Sequence, residues 1–313
     1  MLKPIRTAVI LLRKGLAIVW FLILFVLCFV ARQVTLNAQA GGRANGQSDK
    51  SSNINNGIPF GDLVLIDEAH TPLSTIGTNP SSTESTRGKY SGFARAIRDI
   101  GYTVSTLNPG EVITYSKLQG VACLVIVLSV KAHSDSEIAA ISDWVHGGGS
   151  LLLISDWVSM DDMQRLARTF GASFGSSGYG DCISDPTDYV GGQKYWIILD
   201  RIEEHQITEG VSEIEVYAAT NITSTGATTL VTTDNDATWY YRGKGIPYTP
   251  VMILIRSGFG QVVIIGDHNL WDDDDSDKDG IKNIDERNNQ RLLQNTIRYL
   301  AGQGRQEGQQ ESP

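Results

Sequence analysis

The sequence predicts an α/β fold: a mostly parallel sheet with helices on both faces. Three observations predict it. Uninterrupted apolar runs at 63–66 (LVLI), 121–128 (VACLVIVL) and 150–154 (SLLLI) read as strands buried on both sides. Between them lie segments whose apolar residues recur three and four positions apart, the period of a helix with one covered face. Strand-like and helix-like segments alternate, as they must when helices cross over between parallel strands.

Taken in order, Leu63–Ile66 is the first strand, and Phe93, Ala96, Ile97 and Ile100 mark a helix that stops at Gly101. A strand at 102–107 and the long run from Val121 to Val130 follow. Ser134 and Glu137 have the spacing of a capping box, opening a helix whose inner face is Ile138, Ile141, Trp144 and Val145. Gly147 to Gly149 end that helix before the strand at 150–154. Ser159 is placed to cap the next helix, with Met163, Leu166, Ala167 and Phe170 inside. The pattern loosens between Gly171 and Pro250, where 194–199, 213–218 and 228–233 are β or loop excursions. Val251–Ile255 and Gln261–Ile265 then form an antiparallel pair across Gly258-Phe259-Gly260, and Leu292, Leu293, Ile297 and Leu300 line a closing helix.

The ends read differently. Lys3, Arg6, Arg13 and Lys14 precede an uncharged apolar run, Gly15 to Ala31, the layout of a signal peptide or signal anchor over 1–40. Ala38-Gln39-Ala40 favours cleavage, whereas a run of seventeen residues just reaches across a bilayer. Residues 41–58 are a Gly-, Ser- and Asn-rich stalk, 59–301 the folded domain, and 302–313 a disordered tail. Either leader places the domain outside the cytoplasm, membrane-anchored or secreted. The net charge is −9; because the first forty residues hold five positive charges and no acid, the remainder carries −14, which excludes nucleic acid as a partner. Cys123 in an apolar strand and Cys182 in a polar loop suggest free thiols rather than a disulfide framework.

The most specific chemical signal is Asp272–Glu286, DDDDSDKDGIKNIDE, with eight carboxylates and one glycine. Counted from Asp275, oxygen-bearing side chains fall at positions 1, 3, 5, 9 and 12: Asp275, Asp277, Asp279, Asn283 and Glu286. Gly280 at position 6 permits the bend, and Ile281 at position 7 offers its carbonyl. This is the spacing of a Ca²⁺ loop, and it resembles the loops of thrombospondin type 3 and dockerin-like modules. Such extracellular sites bind Ca²⁺ at about 10⁻⁴ to 10⁻³ M. Asp272, Asp273 and Asp274 are available to complete the shell or to hold a second ion.

Further polar residues fall at strand ends, where open parallel sheets place their ligands. They are Asp67, Glu68 and His70, Ser129, Ser155 and Asp156, and Asp267 and His268. A hydrolase would use Ser155 as nucleophile with His70 or His268 as base, oriented by Asp156 or Asp267; a metal site would use His70, His268 and Asp67. Polar residues also cap strand ends for purely structural reasons. Asp67-Glu68-Ala69-His70 imitates a helicase motif, but the chain lacks the phosphate-binding loop such a motor needs. His133 and His146, flanking a helix, are expected in solvent, and His205 at a turn is expected to be structural.

The succession LIDEAH, GVACLVIVLSV, the S-x-x-E helix, HQITEGV, GQVVIIGDHNL and NNQRLLQNTIRYLAG resembles the class I glutamine amidotransferase-like superfamily, in its exported branch akin to GIFT and ThuA-like domains. With the element order it implies a flavodoxin-like sheet, as one domain after the N-terminal membrane segment. The superfamily's amidotransferases use a nucleophilic Cys after a central strand and a late His-x-Glu. Here the turn is Ser155-Asp156-Trp157 and the late strand ends in Asp267-His268-Asn269, so that activity is not implied. The expected function is a non-catalytic Ca²⁺-binding domain, exported or membrane-tethered, that binds a cell-surface protein or saccharide at the envelope. A strand-end hydrolase is the alternative.

Overall fold

A computed structural model describes residues 61–71, 76, 89–159, 161–175, 178–179 and 181–302. The expected leader, stalk and tail, apart from Gly302, lie outside the described residues. Among the described residues no helix is long and apolar enough to cross a membrane.

The elements are β1 (Leu63–Asp67), α1 (Ser91–Asp99), β2 (Thr103–Leu107), α2 (Tyr115–Leu118), β3 (Val121–Val127), α3 (Asp135–His146), β4 (Ser150–Ile154) and α4 (Asp161–Thr169). After a β-rich excursion come β5 (Arg201–Ile202), β6 (Thr228–Thr232), β7 (Pro250–Ser257), β8 (Gly260–Ile265) and α5 (Asn289–Ala301). The central sheet runs β5-β6-β7-β8-β4-β3-β1-β2. Pairings from β8 through β4, β3 and β1 to β2 are parallel, whereas β5, β6, β7 and β8 pair antiparallel. The parallel part has the flavodoxin-like order, which reverses direction between β1 and β3.

The alternation of side chains across each strand separates two cores. Val64 and Ile66 of β1, Val125 of β3 and Ile265 of β8 face α1 and α5, which contribute Phe93, Ile97, Leu293 and Ile297. Leu65, Leu124 and Ile264 face the other way, toward Ile141 and Trp144 of α3 and Leu166 of α4. Helices therefore cover both faces. Burial of a side chain the size of leucine contributes about 1.5–3 kcal/mol, which explains why the interiors of β3 and β4 are apolar on both sides, with polar residues such as Ser150 and Asp67 kept to strand ends.

Local signals act as the sequence predicts at α3, where the Ser134 side chain accepts from the Glu137 N–H and Glu137 reaches back to the Ser134 N–H. The β7–β8 hairpin turns on Gly258, φ 60°, where an added Cβ would lie 2.6 Å from the carbonyl oxygen of His146. Two boundaries shift. The third strand stops at Val127, because Leu128 turns to φ 38°, and Ser159 lies in a short strand beside Gly178 while α4 begins at Asp161. Within the excursion, Ile214–Tyr217 pairs with Trp196–Leu199 in a separate two-stranded ribbon, whereas 228–232 joins the sheet and Arg201–Ile202 adds to its edge.

Candidate cation site and strand-end clusters

The acidic segment connects β8 to α5, and its turn is built from its own carboxylates. Asp275 accepts from the Gly280 N–H (3.1 Å), Asp277 from the Asp279 N–H (3.3 Å) and Asp279 from the Ile281 N–H (2.8 Å). Gly280 at φ 99° adopts the left-handed conformation the bend requires. Oxygens of Asp275, Asp277 and Asp279 converge within 4.8 Å of one another, and Asp277 converges likewise with Glu286 and Glu215. Glu286 is 7 % exposed, and its Oε1 has no hydrogen-bond partner among the described residues. Burial, with Glu215, Asp279 and Asp277 close by, pushes its pKa up to about 7. Oxygen-only donors clustered like this suit a hard divalent cation.

Other residues of the segment do different work. The Asn283 side chain is fully buried and turned inward, donating to Asp272 Oδ1 (2.8 Å), Ser276 Oγ (2.9 Å) and Asn269 O (3.2 Å), and accepting from the Ser276 N–H (3.0 Å). It braces the turn. Asp273 accepts from Ser91 Oγ (2.6 Å), the Gly92 N–H (3.0 Å) and Lys282 Nζ (3.0 Å), so it fastens the start of α1. Asp274 pairs with Lys89. Asp272, whose pKa is raised to about 6 by burial and then by Asp274, accepts from Asn269 and Asn283. The acids at 272–274 thus tie the loop to the body instead of joining the turn's oxygen cluster.

A second cluster sits at the carboxyl ends of β1 and β3. His133 Nδ1 lies 2.6 Å from Asp162 Oδ2 and its Nε2 lies 2.9 Å from Asp67 Oδ2. His70 Nδ1 also meets Asp67 Oδ2 (2.9 Å), its Nε2 lies 3.3 Å from Glu137 Oε1, and the two imidazoles stack at 3.9 Å. His133 is 1 % exposed, so its expected place in solvent is wrong. The helix start turns it inward, where Asp67 and Asp162 together offset its desolvation. Burial alone would lower its pKa; the carboxylates hold it at about 9. Burial likewise opposes ionisation of Asp67, but His133 and His70 hold it down at about 2. Every ring nitrogen here meets a carboxylate, forming a buried charge network, and ligand atoms of Asp67, His70 and His133 also lie within 4.8 Å of one another.

The third cluster lies past β4 and β8. His268 Nδ1 pairs with Asp156 Oδ2. Asp267 is fully buried and accepts from the Tyr217 N–H (2.5 Å) and the Asn269 N–H (2.8 Å). Burial and then Asp156 push the Asp267 pKa well up; burial opposes the charge on His268, while Asp156, Asp267 and Asp272 raise its pKa to about 9. Ser155 is 0 % exposed and its Oγ has no hydrogen-bond partner among the described residues, so it contacts neither His70 nor His268 through a hydrogen bond. His70 and His268 belong to separate clusters, which separates the ligands of the expected His70–His268–Asp67 metal site.

Sequence reasoning missed Glu215, Asp162 and Asn289. Asn289 is fully buried and its amide bonds the N–H and C=O of Glu215 and the carbonyls of Leu270 and Asn283. Only the apolar neighbours of Glu215 in IEVY, marking a buried strand, hinted that its charge needed a partner.

Fold and site together define an open flavodoxin-like α/β domain with a carboxylate-rich connection before its last helix. No protein-family model matches the chain, and no curated protein matches it. Among solved structures, the mmIFT52 N-terminal domain is similar at 12 % identity and a TM-score of 0.59, covering 77 % of this chain and 98 % of that one. A cytoplasmic protein from Salmonella typhimurium LT2 is similar at 14 % identity and a TM-score of 0.51, covering 77 % and 99 %. A ThuA-like protein from Bacteroides uniformis matches at 12 % identity over 82 % and 95 %, with a TM-score of 0.43, too low to bear on the fold. Likeness at these identities concerns the fold alone.

Proposed function

We propose that the chain is a Ca²⁺-stabilised α/β domain that works by binding a partner, not by catalysis. The observation that carries this reading is the buried Glu286 Oε1, without a hydrogen-bond partner among the described residues, in a carboxylate that converges with Asp277 and Glu215. A buried carboxylate oxygen without a donor costs about 1–3 kcal/mol, a cost a bound cation removes. Asp275, Asp277, Asp279 and Glu286 are the proposed ligands, with the carbonyl of Ile281, and Asn283 serves as the brace. The basic-then-apolar leader favours export or tethering, and the acidic surface favours a cell-surface protein or saccharide as partner. Thermal melting of the full chain tests the ion's role. With about 10 mM Ca²⁺ against a chelator, a Kd of about 10⁻⁴ to 10⁻³ M raises the melting temperature by roughly 3–10 °C. Equal melting in both buffers contradicts the reading.

The hydrolase reading has one observation in its favour, the His268–Asp156 pair at the strand ends. The buried Ser155 Oγ, without a hydrogen-bond partner among the described residues, speaks against it. A Ser155→Ala chain that loses a measured ester or glycan hydrolysis would reverse that preference.

A further inference from the structure

We propose that Glu215 is a cation ligand supplied from outside the loop, so that a single ion fastens the 272–286 segment to the Ile214–Tyr217 strand. The inference rests on the loop being a cation site, and it adds a ligand that the loop's own spacing does not contain.

Glu215 lies some sixty positions before the acidic segment and is 1 % exposed. Oxygens of Glu215, Asp277 and Glu286 lie within 4.8 Å of one another, a separation that lets one ion touch all three. The Ca²⁺–oxygen distance is about 2.3–2.6 Å, so ligands on opposite sides of an ion stand about 4.6–5.2 Å apart. The positive charge nearby is Arg287, whose Nε lies 3.4 Å from Glu215 Oε2 while its Nη1 is drawn 2.9 Å from Glu213. One shared guanidinium against three converging carboxylates leaves negative charge that matches a divalent ion. Glu286, nine-tenths buried, turns its carboxylate into this space, and its Oε1 has no hydrogen-bond partner among the described residues.

Glu215 is also held in place before any ion arrives. Asn289 clamps its backbone from both sides, accepting from the N–H (3.0 Å) and donating to the C=O (2.9 Å). The Tyr217 hydroxyl donates to Oε1 (2.8 Å), fixing the carboxylate while leaving lone pairs free. The same strand carries the Tyr217 N–H that holds Asp267. An ion bridging Glu215 and Asp277 therefore braces the loop against the element that positions the His268 cluster.

The test is calorimetric titration of Ca²⁺ into the full chain, paired with Tb³⁺ luminescence excited through tryptophan. Trp196 suits the second measurement, because a Cβ on Gly191 would sit 2.7 Å from its ring and 2.9 Å from Asp277 Cβ, so ring and ligand share one pocket wall. Glu215→Gln keeps the acceptor for Tyr217 while removing the charge; affinity is expected to fall roughly 10- to 100-fold. Glu213→Gln is expected to bind as the wild type does, and Trp196→Phe to lose most of the Tb³⁺ signal while binding Ca²⁺ normally. If Glu215→Gln unfolds, Glu215→Asp, which keeps the charge on a shorter arm, replaces it and is expected to weaken binding too. Wild-type affinity in the folded Glu215 variant, with binding lost in Asp275→Asn, would refute Glu215 as a ligand and leave the loop site standing. No cation binding by the wild type would overturn both.

Discussion

The Nδ1 of His133 lies 2.6 Å from Asp162 Oδ2, and neither residue can be reached freely by water. With Asp67 on its other nitrogen, His133 is held as an imidazolium whose pKa of about 9 stands above the ordinary 6.5. Its stabilisation is therefore complete below pH 6.5 and is lost as pH rises through about 9. The rise corresponds to about 3 kcal/mol. Asp67, lowered from 3.8 to about 2, acts oppositely: its contribution is present above 3.8 and lost as pH falls through about 2. Urea unfolding of the wild type and of His133→Asn from pH 5 to 10 checks this. The difference between them is expected to be full below about pH 6.5, to shrink as pH rises from there to about 9, and to be small above it; a difference that stays constant contradicts the network.

His268 offers a separate titration. Paired with Asp156, its imidazole is expected to titrate near 9, and in Asp156→Asn to fall back toward 6.5. The imidazole proton resonances followed by NMR read both values directly. A His268 that titrates near 6.5 in the wild type would show that the pair does not hold the charge.

Asn289 bonds four backbone groups through one buried amide, at the joint between the Glu215 strand, the acidic segment and α5. Asn289→Ala leaves those groups unpaired and is expected to cost about 2–4 kcal/mol in denaturant unfolding. A loss below about 0.5 kcal/mol, the usual size for an unremarkable surface site, would mean that water replaces the amide.

The fold was legible because its signals are local. LVLI, SLLLI and all of VACLVIVL but its last leucine lie in the central strands, and the Ser134–Glu137 spacing marks a real capping box. The loop was legible for the same reason: its carboxylates and Gly280 follow one another along the chain. What stayed hidden depends on contacts between distant positions. Asp67, His133 and Asp162 meet only because β1, α3 and α4 bring their ends together, and Glu215 reaches Asp277 only through the side ribbon. Asp273 looked like a ligand because it is an acid among acids, yet its carboxylate holds Ser91 and Gly92 at the start of α1.

The carboxylates around Asp277 and Glu286 are proposed to hold Ca²⁺. Calorimetric titration of the full chain, beside Asp275→Asn and Glu286→Gln, tests this most directly. Saturable binding with a Kd of about 10⁻⁴ to 10⁻³ M in the wild type, weakened at least about tenfold in both variants, is the predicted result. A wild type that binds no Ca²⁺, or variants that bind it as tightly as the wild type, would contradict the account.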